Sequence, residues 1–403
     1  MPSIRSALLA IVASTCTTQA VTIQNAEAAY QQLQGWYNQS IGLWIPSTGW
    51  WNSANCITVI ADLAAIDDSI KIQSQSVFQN TYYRAQQYNL DMQKVVGPDW
   101  LPWTYYGNHW PHFPTGWPHP APVQTNGFLN DYYDDEGWWG LAWVAAFDVT
   151  GNPQYLQEAQ SIFENIKAAW GTTPCSGVWW DKAHTYVNAI ANELFLDLAA
   201  HLANRDGSQS AYYRSWALQQ WNWFQNSGMI NAQHTINDGL NDTTCKNNGG
   251  TVWSYNQGVI LGGLTELSRA TNDQSYITTA KQIADAAIAN LTDSNGILHD
   301  VCEPNCGMLA QEHSYMMDGL MRSLGADGSQ FKGVFARNLQ ILQKASPEVR
   351  YASFLQKNAN SIWANDRQGD ALSVVWSGPF VSPANASTQS SAMDAIVAAL
   401  ATS

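Results

Sequence analysis

Charge is scarce in this chain. Asp, Glu, Lys and Arg together make 12% of its 403 residues, about half the share of an ordinary soluble protein. Basic side chains are scarcer still: 18 Lys and Arg stand against 32 Asp and Glu, a net charge of -14, and they form no cluster. A protein that grips a phosphate backbone needs a basic patch, so the composition argues against a nucleic-acid partner. No apolar run beyond the first twenty residues is long enough to cross a bilayer, and no transmembrane segment is expected. Metal-ligand spacing is missing too. His109 and His112 lie in a proline-rich stretch, and Cys302 and Cys306 have no second Cys/His pair to complete a zinc set.

Aromatic rings are plentiful. The chain has 20 Trp and 17 Tyr; many must be core, but so many also suggest a carbohydrate-binding cleft, and a neutral polymer suits such a surface. The most informative stretch is Asn130-Asp131-Tyr132-Tyr133-Asp134-Asp135-Glu136-Gly137-Trp138-Trp139-Gly140-Leu141-Ala142-Trp143. Hydrolysis of a glycosidic bond needs two carboxyl groups, one to attack or steer water and one to protonate the leaving oxygen. A sugar also needs flat rings that match its C–H faces. Asp134 and Asp135 supply the first requirement and their aromatic neighbours the second. The competing reading is the acidic first turn of a helix, where carboxylates suit the helix dipole.

Residues 1–20 read as a weak secretory signal. Arg5 gives the positive start, Ala7 to Ala13 the apolar stretch, and Thr18-Gln19-Ala20 the small-residue cleavage site. A secreted or cell-wall-associated protein is expected, and four acceptor sequons, at Asn38, Asn241, Asn290 and Asn385, agree with it. Loss of the signal leaves Cys56, Cys175, Cys245, Cys302 and Cys306. Cys302 and Cys306 can close a tight loop, Cys175 can pair with Cys245, and Cys56, in an apolar helical stretch, reads as a buried free thiol.

The chain repeats itself. Gly140-Leu141 opens a helical stretch that ends near Gly151 and is followed by Tyr155, Ala159 and Ile162. Gly263-Leu264 opens another that ends near Asn272 and is followed by Tyr276, Ala280 and Ile283. In both, Tyr, Ala and Ile fall on one face of a helix. A third copy runs from Ala191 through the turn Asn204–Gly207 to Tyr213 and Ala217, and a weaker fourth spans Asn55 to Gln87. Roughly six such hairpins fill the chain. The expected fold is all-α, an (α/α)6 barrel, with residues 21–403 as one catalytic domain and no linker. Gly97 to Phe128 departs from the pattern: seven prolines exclude a helix, and its tryptophans suit either a cleft wall or structural packing.

Taken together, several segments resemble glycoside hydrolase family 76, the endo-α-1,6-mannanases, in its secreted fungal form. They are Trp50-Trp51-Asn52-Ser53-Ala54-Asn55, Tyr133-Asp134-Asp135-Glu136-Gly137-Trp138-Trp139, Gly177-Val178-Trp179-Trp180-Asp181, Asn188-Ala189-Ile190-Ala191-Asn192-Glu193-Leu194-Phe195-Leu196, Asp238-Gly239, Trp253-Ser254-Tyr255-Asn256-Gln257-Gly258 and Phe331-Lys332-Gly333. The resemblance implies an (α/α)6 barrel and a retaining mechanism, with Asp134 as nucleophile, Asp135 as general acid/base, and no metal or organic cofactor. It implies α-1,6-mannan or mannooligosaccharide as the partner. Trp51, Tyr133, Trp139 and Trp180 are candidates to stack on mannose or to pack the core. Asn55, Asn188, Asn192, Asp238, Tyr255 and Asn256 are candidates to bind hydroxyls or to serve as caps and backbone anchors, and a helix is expected to begin near Gly258. Lys332 reads as structural. Cys56 after Asn55 and the long Pro/Trp-rich loop depart from the family pattern. A monomer is expected. A wall transglycosidase working on mannan or a GPI glycan would use the same pair, and a carbohydrate-binding protein that had lost catalysis would not require it.

Overall fold

A computed structural model describes residues 20–88, 92–97, 102–106, 127–307 and 322–403. The signal segment up to Gln19, and most of the 97–128 stretch with His109 and His112, lie outside the described residues. The helices are α1 (Ile23–Gln34), α2 (Trp50–Ala64), α3 (Asp68–Ala85), α4 (Tyr133–Thr150), α5 (Pro153–Ala169), α6 (Ala189–Arg205), α7 (Ser210–Asn226), α8 (Ser254–Thr271), α9 (Ser275–Asn290), α10 (Phe331–Ala345), α11 (Val349–Asn365) and α12 (Ala386–Ala401). Short strands interrupt them: β1 (Met92–Val96), β2 (Pro102–Tyr106), β3 (Leu240–Asn241), β4 (Lys246–Asn247), β5 (Arg322–Ala326), β6 (Arg367–Gln368) and β7 (Ala371–Leu372).

The even-numbered helices form a closed ring. Each packs on the next in the order α2, α4, α6, α8, α10, α12, and α12 returns to α2. The odd-numbered helices lie outside, α3, α5, α7, α9 and α11 each beside its preceding ring helix and α1 beside α12. This is the expected (α/α)6 barrel, and it explains the composition. A ring helix has protein on every side, so α2 is buried at every position but Asp62, and α8 from Ser254 to Ser268. Such helices leave few places for charge. The outer helices bury one stripe each, as in α5 with Tyr155, Ala159, Ile162, Phe163 and Ile166. The predicted breaks hold: Gly151 and Asn272 end α4 and α8 in the left-handed conformation. Small residues let the ring close tightly. A Cβ on Gly258 of α8 would stand 2.6 Å from the Phe335 Cα of α10, and one on Gly333 of α10 would stand 2.6 Å from the Ser391 Cα of α12.

Two expectations need correction. Helix α8 begins at Ser254, not near Gly258, because its cap comes from a distant loop: Asp300 accepts from the Ser254 N–H at 2.9 Å and from its hydroxyl at 2.5 Å. The pattern also gave no sign of a sheet, yet β1, β2 and β5 form one, antiparallel throughout. Pro102 opens β2, the strand position that tolerates a missing N–H. Lys94 pairs with Thr104 in register, and both side chains turn toward the ring. The disulfides Cys175–Cys245 and Cys302–Cys306 form, and Cys56 is free and buried. Among the described residues no helix is long and apolar enough to cross a membrane.

Candidate active site

The chain enters α4 through a knot of hydrogen bonds centred on Asn130. Its side-chain oxygen accepts from the Tyr132 N–H at 2.9 Å, its amide donates to Asp135 Oδ2 at 2.7 Å, and its backbone N–H donates to Glu136 Oε1 at 3.1 Å. Alongside runs the 180–182 segment: the Tyr133 N–H donates to the Trp180 carbonyl at 2.9 Å, and Tyr132 bridges Asp181 antiparallel. The first turn of α4 is thus clamped from two sides, and its acids are sorted. Glu136 is fully engaged, by Asn130, by Lys182 at 2.7 Å and by Asn165. Asp134 and Asp135 point elsewhere.

Both are buried, Asp135 completely, so neither is a solvated acid on an exposed helix end. They converge on one cation. Lys94 Nζ donates to Asp134 Oδ2 at 3.0 Å and to Asp135 Oδ1. The rings of Trp51, Tyr132 and Trp180 surround that ammonium at 5.4, 5.1 and 5.9 Å, within cation–π range. Asp134 Oδ1 is buried with no hydrogen-bond partner among the described residues. Burial pushes Asp135 up to about 8; Lys94 and the Asn130 amide act against this and Asp134 adds to it. Lys94 is pulled down by burial, but Asp134, Asp135 and Asp327 outweigh that and hold it above its ordinary value.

Two further acids belong to this field. Asp327, just before α10, accepts from Trp51 Nε1 at 3.2 Å and from the Thr104 hydroxyl at 2.8 Å; burial raises it to about 6. Asp238 accepts from the Tyr186 hydroxyl at 2.6 Å, and burial raises it to about 7 with Asp134 contributing. Tyr255 is buried with its ring 3.7 Å from that of Phe331 and lies in the field of Asp238 and Asp134.

The predicted residues therefore divide. Trp51, Trp180, Asp134 and Asp135 meet around Lys94, and Asp238 and Tyr255 stand near by. Tyr133 faces Lys182, whose ammonium lies 5.6 Å from its ring. Trp139 is packed among Trp50, Phe128 and Trp143, with centroids 4.7 to 5.8 Å away, so it serves the core. Asn55 accepts from Arg337 and donates to Gln330 at 3.3 Å. Asn188 caps α6 through the Ala191 N–H. Asn192 clamps Val178, accepting from its N–H at 2.8 Å and donating to its carbonyl at 2.9 Å. The Asn55 and Asn192 amides are spent on the fold, and Asn188 spends its side-chain oxygen there. Asn256 is buried with neither end of its amide paired among the described residues. Lys332 pairs with Glu303 at 2.7 Å, the structural role expected. Sequence reasoning missed Lys94, Thr104 and Asp327. Asp327-Gly328 stands just ahead of the Phe331-Lys332-Gly333 motif, a usable signal; Lys94 carried none. Among the described residues no three His, Cys, Asp or Glu side chains are grouped to hold a metal.

Known proteins agree with this architecture. The α-1,6-mannanase GH76A of Salegentibacter sp. superposes with a TM-score of 0.70 at 18% identity, over 94% of this chain and 98% of that one. Dfg5 of Chaetomium thermophilum, solved with glucosamine, gives 0.70 at 17% identity, over 96% and 92%. In sequence, the mannan endo-1,6-alpha-mannosidase DFG5 of Candida albicans is 22% identical over 352 residues, 84% of this chain and 67% of that protein. DCW1 of the same organism is 29% identical over 245 residues, 56% of this chain and 50% of that protein, so this chain spans only about half of DCW1's length. The model of glycosyl hydrolase family 76 matches residues 120–403, and with well over half its length matched, the chain belongs to glycosyl hydrolase family 76.

Proposed function

We propose that this protein is a secreted, endo-acting, retaining hydrolase of α-1,6-linked mannan, working as a single chain in or near a cell wall. The observation that carries the reading is the convergence of Asp134 and Asp135 on one ammonium between aromatic rings. A cation that hydrogen-bonds both acids sets their facing oxygens no more than two hydrogen-bond lengths apart. That suits the ~5–5.5 Å spacing of retention better than the ~6.5–9.5 Å of inversion. Asp134, with one oxygen unpaired, is the nucleophile: it attacks the anomeric carbon, the bond to the glycosidic oxygen breaks, and a glycosyl ester forms. Asp135, buried and raised toward neutral pH, gives its proton to the departing oxygen and then takes one from the water that opens the ester. Trp51 and Trp180 offer ring faces to the sugar. The two disulfides favour an oxidising compartment.

The test is a digest of linear α-1,6-mannan. A ladder of oligosaccharides whose first-formed reducing ends are α by NMR supports the reading. Release from another glycan but none from α-1,6-mannan would remove the substrate assignment, and β ends would remove retention. A short mannooligosaccharide added as acceptor separates hydrolysis from transglycosylation, because only the latter lengthens it.

A further inference from the structure

The catalytic pair assigned above does not stand open. Lys94 fills the space between Asp134 and Asp135, which the reaction needs for an anomeric carbon and a glycosidic oxygen. We propose that Lys94 is a built-in competitor of the substrate, carried on the β1–β2–β5 sheet, and that a saccharide reaches the catalytic position only by expelling it. The proposal rests on the reading of Asp134 and Asp135 as the reacting pair.

The origin of the lysine makes expulsion feasible. It comes from a strand of a small sheet, not from a ring helix. The strand packs on the core through Val96, and hydrogen bonds hold the lysine: the Lys94 N–H donates to the Tyr132 hydroxyl at 2.7 Å, its ammonium donates to the two acids, and the Thr104 hydroxyl of the paired strand donates to Asp327 at 2.8 Å. Sugar hydroxyls and water can replace each of these hydrogen bonds. A buried ion pair adds little net stability, because desolvation cancels most of its attraction. Its release regains the hydration of the ammonium, and the charge left behind is limited because Asp135, raised to about 8, can hold a proton.

Its departure also prepares the site. The ring faces of Trp51, Tyr132 and Trp180 that now surround an ammonium are left facing the vacated space, where C–H surfaces of a pyranose can cover them. The cation that opposes the raised Asp135 leaves with the strand, so the acid keeps the proton it must donate. Asp327 loses Thr104 and keeps Trp51, freeing one carboxylate oxygen for a hydroxyl.

Three measurements test this. The first is hydrogen exchange of the 92–96 strand in the wild-type protein, with and without a sulfur-linked α-1,6-mannotriose that cannot be cleaved. Expulsion predicts faster exchange at Lys94 when the ligand binds; slower or unchanged exchange overturns the proposal, since the strand would then close on the sugar or stay put. The second is affinity for that ligand. Lys94→Met, which keeps the length and drops the charge, should bind about tenfold tighter, and Lys94→Arg no tighter than wild type. The third is the KM-against-kcat split on α-1,6-mannan: Lys94→Met should lower KM and hold kcat within about threefold. A kcat collapse in Lys94→Met, or weaker binding, makes Lys94 a working part of the site and overturns its role as competitor. Melting curves of both variants guard against misfolding, and the exchange experiment needs no variant. If Asp134→Asn and Asp135→Asn both retain full activity, it is the assignment of the pair that fails, an outcome the exchange data do not share.

Discussion

Lys94 and Arg337 are both cations buried beside carboxylates, yet the molecule holds them in opposite ways. Arg337 of α10 pairs with Asp394 of α12 at 3.2 Å, donates to Asn55 of α2, and lies 5.6 Å from the ring of Trp138 on α4. One guanidinium thus ties four ring helices together, and its planar fork suits that task. Among the described residues Lys94 bonds to the ring through its ammonium and one backbone N–H, from a strand outside it. The wall of the barrel uses its cation as a rivet, and the mouth uses its cation as a plug. Similar burial accompanies two different mechanical roles, distinguished by the element that carries the residue and by how many elements it joins.

The largest effect that can sharpen this comparison is catalytic. Asp134→Asn should leave no measurable turnover, since an amide cannot form the glycosyl ester. Asp135→Asn should lose about 10²–10⁴-fold on mannan, yet still attack an aryl mannoside whose leaving group needs no proton. Azide, a nucleophile that needs no base, should restore turnover in Asp135→Asn and give an α-mannosyl azide from that substrate, by inversion of the β-linked ester. An α-mannosyl azide from Asp134→Asn together with the β anomer from Asp135→Asn would exchange the roles. If both acids were only the dipole-matched first turn of α4, the two variants would lose roughly 1 kcal/mol of stability and keep their activity.

The next contrast is in stability. Asp394→Leu leaves a guanidinium that cannot shed its proton inside the wall, and should cost roughly 3–5 kcal/mol in urea unfolding. Lys94→Met should cost less than about 1 kcal/mol, because Asp135 can take up a proton and water can enter beneath a lifted strand. Equal losses would make Lys94 a second rivet. The two tryptophan motifs carry the contrast into binding. Both rings are buried, so Trp139→Ala and Trp51→Ala should each destabilise by about 3–5 kcal/mol, but only Trp51→Ala should also raise KM.

How much of this could be read from the sequence follows the same division. The ring was legible because its signals are local: Gly151 and Asn272 stop helices where they stand, and Tyr155, Ala159 and Ile162 share a face within one helix. The acid pair was legible because both members are neighbours in a rare aromatic setting. What joins distant segments was not. Lys94 sits in a five-residue strand whose sheet is completed by residues 322–326, and nothing local announces that partner. The start of α8 was misplaced because Asp300, 46 positions on, caps Ser254. Asn188 and Asn192 read as candidate sugar binders because an amide that grips a carbonyl has the same sequence as one that grips a hydroxyl.

The smallest predicted effect asks whether the buried acids of mouth and wall share one cost. Burial raises Asp238 and Glu136 at the mouth to about 7, Asp327 to about 6 and, in the wall, Asp394 to about 7. In the unfolded chain such groups titrate near 3.9–4.3. From about pH 4 to pH 7 the folded protein therefore keeps protons that the unfolded chain releases, so stability is fullest below the unfolded values and falls as pH rises through the folded ones. Glu266 works the other way. Burial would raise it, but His201, Arg205 and Arg269 bring it down to about 2, so its contribution is complete above about pH 4.3 and fades as pH drops toward 2. The two slopes meet in a maximum near pH 4–5, and calorimetry should find the melting temperature roughly 5 °C higher at pH 4.5 than at pH 7.5. Asp238→Asn and Asp394→Asn should each flatten that decline, by similar amounts if mouth and wall bear the cost alike. A melting temperature that holds level or rises from pH 4.5 to 7.5 would mean that these carboxyls are ionised within the fold and balanced there by counter-ions.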